Sequence, residues 1–206
     1  VDNKLIGFND LFENLIELYK RNILPNKILL SGKKGIGKSI FVSHFLNFIF
    51  SQNEELKYNL KNFEINEDNI SHQHFKKNMH PNIFLIKKKN EKKFIDISQI
   101  REMMNFQNRS SLNDLFKFII INNVSDLNLN SSNSLLKSIE EPNNNVFYIL
   151  THNVGSYIPE TIKSRCIEFK MFLSSSNQKL ILKNHFNESI NEEISKDLIN
   201  FYDNPS

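Results

Sequence analysis

Apolar positions along the first fifty residues change their period twice. Leu11, Phe12, Leu15, Ile16, Leu18 and Tyr19 recur at helical spacing and predict a helix over residues 11–21. The polar stretch 22–26, which contains Pro25, breaks it. Residues 27–31 form a short apolar run ending at Gly32, as expected of a buried strand. Residues 39–50 then read as a strongly apolar helix. The chain thus opens as helix, strand, glycine-rich turn, helix.

Residues 51–78 are polar and rich in Asn, Glu and Lys, a variable excursion with room for a helix or two. The runs 82–86 and 94–97 flank the lysine-rich stretch 87–93 and predict a hairpin with a charged tip. Ser98 is placed to cap a helix running to residue 108, with Ile100, Met103, Met104 and Phe106 toward its buried side. The unbroken apolar run 116–121 fits a central parallel strand. A helix over 129–141 stops before Pro142. A strand at 146–150, a short helix at 158–164 and a last strand at 167–171 follow, and beyond residue 174 the pattern is helical, over 176–186 and 188–202. Alternating strands and helices with the glycine-rich turn after the first strand predict a parallel α/β sheet. The division expected is a nucleotide-binding core over 1–173 and a small helical subdomain over 174–206.

Composition narrows the class without naming an activity. The 206 residues are 39% hydrophobic and 24% charged, ordinary for a globular domain of one good core. A net charge of +3 is too weak to argue for nucleic-acid binding by bulk electrostatics. The single cysteine, Cys166, excludes an internal disulfide and a multi-cysteine zinc site. The sequence shows no membrane-spanning run and no signal-peptide pattern, so a soluble, cytoplasmic protein without membrane partners is expected.

Chemistry concentrates in three places. Gly32-Lys33-Lys34-Gly35-Ile36-Gly37-Lys38-Ser39 satisfies G-x-x-x-x-G-K-[ST] in full and takes three of the chain's five glycines. In such a loop backbone N–H groups wrap a β-phosphate, Lys38 reaches the β- and γ-phosphates, and the Ser39 hydroxyl is a candidate Mg²⁺ ligand. Phe118-Ile119-Ile120-Ile121-Asn122-Asn123 has the apolar-then-polar form of a Walker B strand, but Asn122 and Asn123 stand where acids normally hold Mg²⁺ and orient water. An amide supplies neither charge nor base. Asp126 lies nearby but already off the strand end. The third place is Thr161-Ile162-Lys163-Ser164-Arg165-Cys166, where an arginine ends a short helix just before a strand. Taken alone, such an arginine is more often a surface ion pair than a catalytic group.

Behind the loop, in order, stand His80-Pro81-Asn82, Ile97-x-x-Ile100-Arg101-Glu102, the run Asn133-Ser134-Leu135-Leu136-Lys137-Ser138-Ile139-Glu140-Glu141-Pro142, Thr151-His152-Asn153 and Ser164-Arg165-Cys166. This series resembles the bacterial DNA polymerase III clamp-loader ATPase family, most closely its delta-prime branch, over nearly the whole chain. The resemblance implies an AAA+ P-loop NTPase: a five-stranded parallel sheet flanked by helices and followed by a helical lid, working in a ring-like pentamer. Arg165 then matches an arginine finger, which acts in trans on nucleotide held by a neighbour. Thr151, His152 and Asn153 occupy the sensor 1 region, with the choice among them open. ATP or ADP with Mg²⁺ is the implied cofactor. The implied partners are the motor ATPase and delta subunits and, indirectly, a sliding clamp and primed DNA.

Three departures shape the expectation. Asn122-Asn123 suit a stator that lends its arginine better than a motor. The excursion 51–78 has no cysteines, so no zinc is expected there. The sequence ends at 203–206 where relatives approach a Gly-Ser-Pro-Gly-Arg-like stretch with the sensor 2 arginine, so a partial lid and no collar are expected, in a fragment or a shortened protein. An active ATPase of the same family, with Mg²⁺ held by Ser39 and waters, is the alternative. An unrelated P-loop kinase or GTPase lacks support, since the sequence has neither a lid arginine cluster nor an Asn-Lys-x-Asp motif. Residues 87–93 read more readily as a solvated turn than as a DNA contact.

Overall fold

The computed structural model describes residues 3–109, 116–141 and 145–186. The predicted helix at 188–202, Pro142 and the final residues 203–206 lie outside them.

Five strands form one sheet: β1 (Lys27–Gly32), β2 (Ile83–Lys87), β3 (Lys117–Asn122), β4 (Val146–Asn153) and β5 (Ile167–Met171). Their spatial order is β2-β3-β4-β1-β5, and every neighbouring pair is parallel. The helices α1 (Asn9–Lys20), α2 (Lys38–Phe50), α3 (Ile70–Lys76), α4 (Ile97–Asn108), α5 (Leu129–Glu140), α6 (Glu160–Lys163) and α7 (Ser175–Phe186) complete the described chain. This is the expected α/β fold, a P-loop NTPase of AAA+ type.

Strand side chains alternate between two cores, which is why the strands are apolar at nearly every position. Ile28, Leu30, Phe118, Ile120 and Ile149 face the layer of α1 and α2. Leu29, Ile119, Ile121, Tyr148 and Leu150 face the layer of α4, α5 and α6. In the first core Phe12 is fully buried, edge-on to Phe41 and Phe45, with ring centroids 5.8 and 6.5 Å away. Apart from Ser39, which is exposed, α2 is buried or half-buried along its length, and the excursion after it folds back over it. There Tyr58 OH meets His44 Nδ1 at 2.9 Å, and Asn69 Oδ1 accepts from Asn47 Nδ2 at 2.6 Å.

Two local expectations are corrected. Residues 82–97 form no hairpin. β2 is an edge strand paired only with β3, and the returning chain crosses toward the end of β3, where Ile95 makes an isolated parallel bridge with Leu127. The Ile95 N–H donates to the Asp126 carbonyl, the Ile95 carbonyl accepts from Ser131 Oγ, and the side chain is fully buried. The helix at 98–108 begins earlier and is capped by Asp96, not Ser98. Asp96 accepts from the Ser98 N–H, and Gln99 Oε1 accepts from the Asp96 N–H, a reciprocal capping box.

Candidate functional site

The glycine-rich loop joins the C-terminal end of β1 to the N-terminus of α2. Its glycines do two different jobs. Gly35 and Gly37 have φ of +80° and +102°, which side-chain-bearing residues rarely adopt. A Cβ on Gly35 would meet nothing within 4 Å, so conformation alone demands glycine there. At Gly32 the demand is space, because a Cβ would lie 2.9 Å from the Met171 carbonyl oxygen of β5. Lys33, Lys34 and Gly35 are exposed, and Ile36 and Gly37 are half-buried. Gly37 precedes α2 as its N-cap and brings no side-chain cap, and the first turn carries no acid, so the first N–H groups of α2 stay available to an anion.

Lys38 is folded back into this loop. Its ammonium donates to the carbonyls of Gly32 at 2.9 Å and Lys33 at 2.8 Å, and burial pulls its pKa down to about 8. Ser39, exposed beside it, accepts from Asn122 Nδ2 at 2.9 Å. Asn122 Oδ1 in turn accepts from Thr151 Oγ1 at 2.9 Å. The loop, the end of β3 and the end of β4 are therefore joined by a Ser39–Asn122–Thr151 chain of neutral groups.

Asn123 takes no part in this chain. It is buried, and its Oδ1 accepts from the Ser125 N–H at 3.3 Å, capping the 3-10 turn Val124–Asp126. Asp126 uses its carbonyl to hold Ile95. Of the three consecutive polar residues in β4, Thr151 is fully buried and is the one bonded to Asn122. The neighbouring His152 turns to the opposite side of the strand. Its Nδ1 lies 3.5 Å from Ser31 Oγ, and its Nε2–H donates to the Ser156 carbonyl at 3.0 Å. Asn153 pairs in register with Gly32 at the base of the loop. β4 runs three residues beyond its expected end, and that extension carries this register.

The cradle fits the phosphates of a nucleotide. It offers open glycine backbone, an uncapped helix N-terminus and an ammonium at the loop's centre. A cleft of about 350 Å³ adjoins it between Gly7–Asp10, Lys170–Phe172 and Asn177. Its walls touch the loop directly, since Met171 packs on Gly32 and a Cβ on Gly37 would lie 3.7 Å from Phe8. Sequence reading missed this cleft, because three separated segments line it and none carries a motif. Mg²⁺ fits poorly by comparison: the side chain bonded to Ser39 is the neutral Asn122 amide, and either orientation of that amide brings no carboxylate to the strand end among the described residues.

Arg165 lies just past α6, away from this cradle in the chain. Its Nη2 is 2.8 Å from Glu140 Oε1 at the end of α5, and its Nη1 donates to the Thr161 carbonyl at 2.8 Å. The adjacent Cys166 is partly buried, and burial pushes its thiol up to about 11. That is the character of a packing residue rather than a nucleophile.

The sequence matches the family described as DNA polymerase III, delta subunit, over residues 7–174. A DNA polymerase III subunit delta′ of Buchnera aphidicola subsp. Baizongia pistaciae is 25% identical over 202 residues, 92% of this chain and 59% of the relative. A subunit gamma of Buchnera aphidicola subsp. Schizaphis graminum is 35% identical over 107 residues, 48% of this chain and 30% of the relative. The chain thus spans less than two thirds of either protein. Among solved structures, a DNA polymerase III gamma subunit-related protein of Thermotoga maritima superposes with a TM-score of 0.51 at 19% identity, over 84% of this chain and 51% of that one. With the motif series, the sheet order and the family match in agreement, the chain belongs to the DNA polymerase III delta-subunit family of clamp-loader AAA+ proteins, close to delta-prime.

Proposed function

We propose that this chain is a delta-prime-like stator of a clamp loader. It hydrolyses little or no ATP itself and lends Arg165 to nucleotide held by a neighbouring motor ATPase while a sliding clamp is loaded onto primed DNA. The observation that carries the reading is the neutral Ser39–Asn122–Thr151 chain, together with the capping role of Asn123. Where a hydrolysing site needs a carboxylate on the metal and a base on the water, this one has two amides already engaged with the fold.

In this reading residues Gly32–Ser39 hold ATP or ADP passively, and Thr151 is the sensor 1 residue, because its hydroxyl faces the end of β3. α7 is the first helix of the lid, with Asn177 on the cleft. Lys38, now held by the Gly32 and Lys33 carbonyls, is the group that would turn to the phosphates of a bound nucleotide. The chain's own residues bind and orient; the bond-breaking step belongs to the neighbour. Arg165 suits that step because it is half-exposed, permanently charged and retains donors beyond those it spends within the chain.

The test is ATP turnover by the isolated chain and by the cognate gamma-type subunit reconstituted with wild-type or Arg165→Ala protein. The expectation is negligible turnover by the chain alone and, with Arg165→Ala, a loss of roughly a hundredfold or more at the neighbour's site that this subunit completes. Appreciable turnover by the chain alone would favour the active-ATPase alternative.

A further inference from the structure

Glu140 ends α5 and Arg165 lies just past α6, 25 positions apart, yet their side chains meet at 2.8 Å. The core sets this meeting. Leu135 and Ile139 of α5 and Ile162 of α6 are fully buried in one apolar cluster, which fixes the ends of both helices against each other. Glu140 is the last residue of α5, where outward-facing helix carbonyls disfavour an acid unless a cation answers it. Arg165 answers it, and at the same time donates to the Thr161 carbonyl near the end of α6, which also accepts from Ser164 Oγ. The two side chains are 37% and 48% exposed, so the pair is not sealed in the core and can be reached from outside. A guanidinium has five N–H donors, and these contacts use two of them.

We propose that Glu140 is a positioning residue for Arg165. It holds the guanidinium in one orientation before the neighbour arrives and leaves the remaining donors for the phosphate. An arginine ordered in advance loses less rotamer freedom on engagement, and the gain appears in the rate of the step it assists. The assignment rests on the finger reading above. It adds that the Leu135–Glu141 stretch and the Ser164-Arg165-Cys166 triplet are two halves of one device.

The experiment compares wild-type, Glu140→Gln, Glu140→Asp, Arg165→Ala and Glu140→Gln/Arg165→Ala proteins, each co-eluted with the cognate gamma-type subunit. It measures kcat and KM for ATP, together with the rate of phenylglyoxal modification of Arg165 in the free chain. Glu140→Gln keeps the shape of a half-exposed side chain, so folding is expected to survive, and circular dichroism checks it. The expected result is a kcat about fivefold lower with KM unchanged, partial rescue by Glu140→Asp, and no further loss from Glu140→Gln once Arg165 is Ala. Phenylglyoxal modification should become about threefold faster. Unchanged kcat or unchanged modification with Glu140→Gln, while Arg165→Ala still abolishes turnover, would overturn the role of Glu140 and leave the finger standing. Equal losses from Glu140→Gln with and without Arg165 would overturn it too. Full turnover with Arg165→Ala would overturn the finger reading and this assignment together.

Discussion

Replacing Asn122 and Asn123 by acids should have very unequal effects on stability, although both changes look like repairs of one motif. In Asn122→Asp the two hydrogen bonds survive. Thr151 Oγ1 still donates, and the Ser39 hydroxyl turns from acceptor to donor toward the new carboxylate oxygen. The cost should stay within about 1 kcal/mol. In Asn123→Glu the cap on Ser125 is lost, at about 1 kcal/mol, and a carboxylate is placed at a site only 9% exposed. An unsatisfied buried polar group costs a further 1–3 kcal/mol or so. The sum, about 2–4 kcal/mol, corresponds to a fall in Tm of roughly 5–15 °C for a chain of this length. Thermal and urea melts followed by circular dichroism give both numbers. If Asn123→Glu melts with the wild type, or Asn122→Asp is the more damaging change, the structural roles assigned to these two amides are wrong.

Other expectations follow from the same geometry. Because burial holds Lys38 at about 8 against an ordinary 10.5, phosphate binding must take up a proton above pH 8. Affinity for a fluorescent ATP analogue should be flat below pH 8 and fall by up to about tenfold per pH unit above it, with Lys38→Met weak and flat throughout. The same shift makes the folded chain release this proton before the unfolded chain does, so the contribution of Lys38 to stability rises between pH 8 and 10.5. Gly32→Ala should cost about 1–3 kcal/mol, because its methyl meets the β5 backbone, whereas Gly35→Ala should cost only about 1 kcal/mol of backbone strain. Equal urea midpoints for the two would refute the distinction. Glu54 accepts from Asn69 Nδ2, the N–H groups of Ile70 and Ser71, and Ser71 Oγ at the start of α3. Glu54→Ala should therefore speed hydrogen exchange in α3 by about tenfold or more, while β1 exchanges as before.

Where period and spacing carry the information, the sequence was readable. The strand–loop–helix unit, the five strands and the candidate residues in the loop and at the end of β3 all follow from apolar runs and one motif. The failures are competitions that period and spacing do not decide, one settled by a nearby side chain and the others at long range. Ser98 and Asp96 are both good caps, and the choice fell to Asp96 because Gln99 returns the hydrogen bond. Two apolar runs around a charged stretch fit a hairpin locally, but the second run was drawn across to Leu127 by burial of Ile95. Which residue of Thr151–Asn153 meets Asn122 depended on how far β4 continues, a property of its pairing with β1. The partner of Arg165 was out of reach, since nothing in the local pattern of α5 or α6 says that their ends converge.

The proposed stator role implies an asymmetry between two sites on one chain: the phosphate loop is dispensable for turnover in the complex, and Arg165 is not. It is tested most directly by steady-state ATP turnover of the reconstituted clamp loader carrying Lys38→Ala or Arg165→Ala in this subunit alone. Turnover should stay within about twofold of wild type for Lys38→Ala and fall by roughly a hundredfold or more, at the sites that depend on this subunit, for Arg165→Ala. The reverse order, with Lys38→Ala crippling and Arg165→Ala mild, would contradict it.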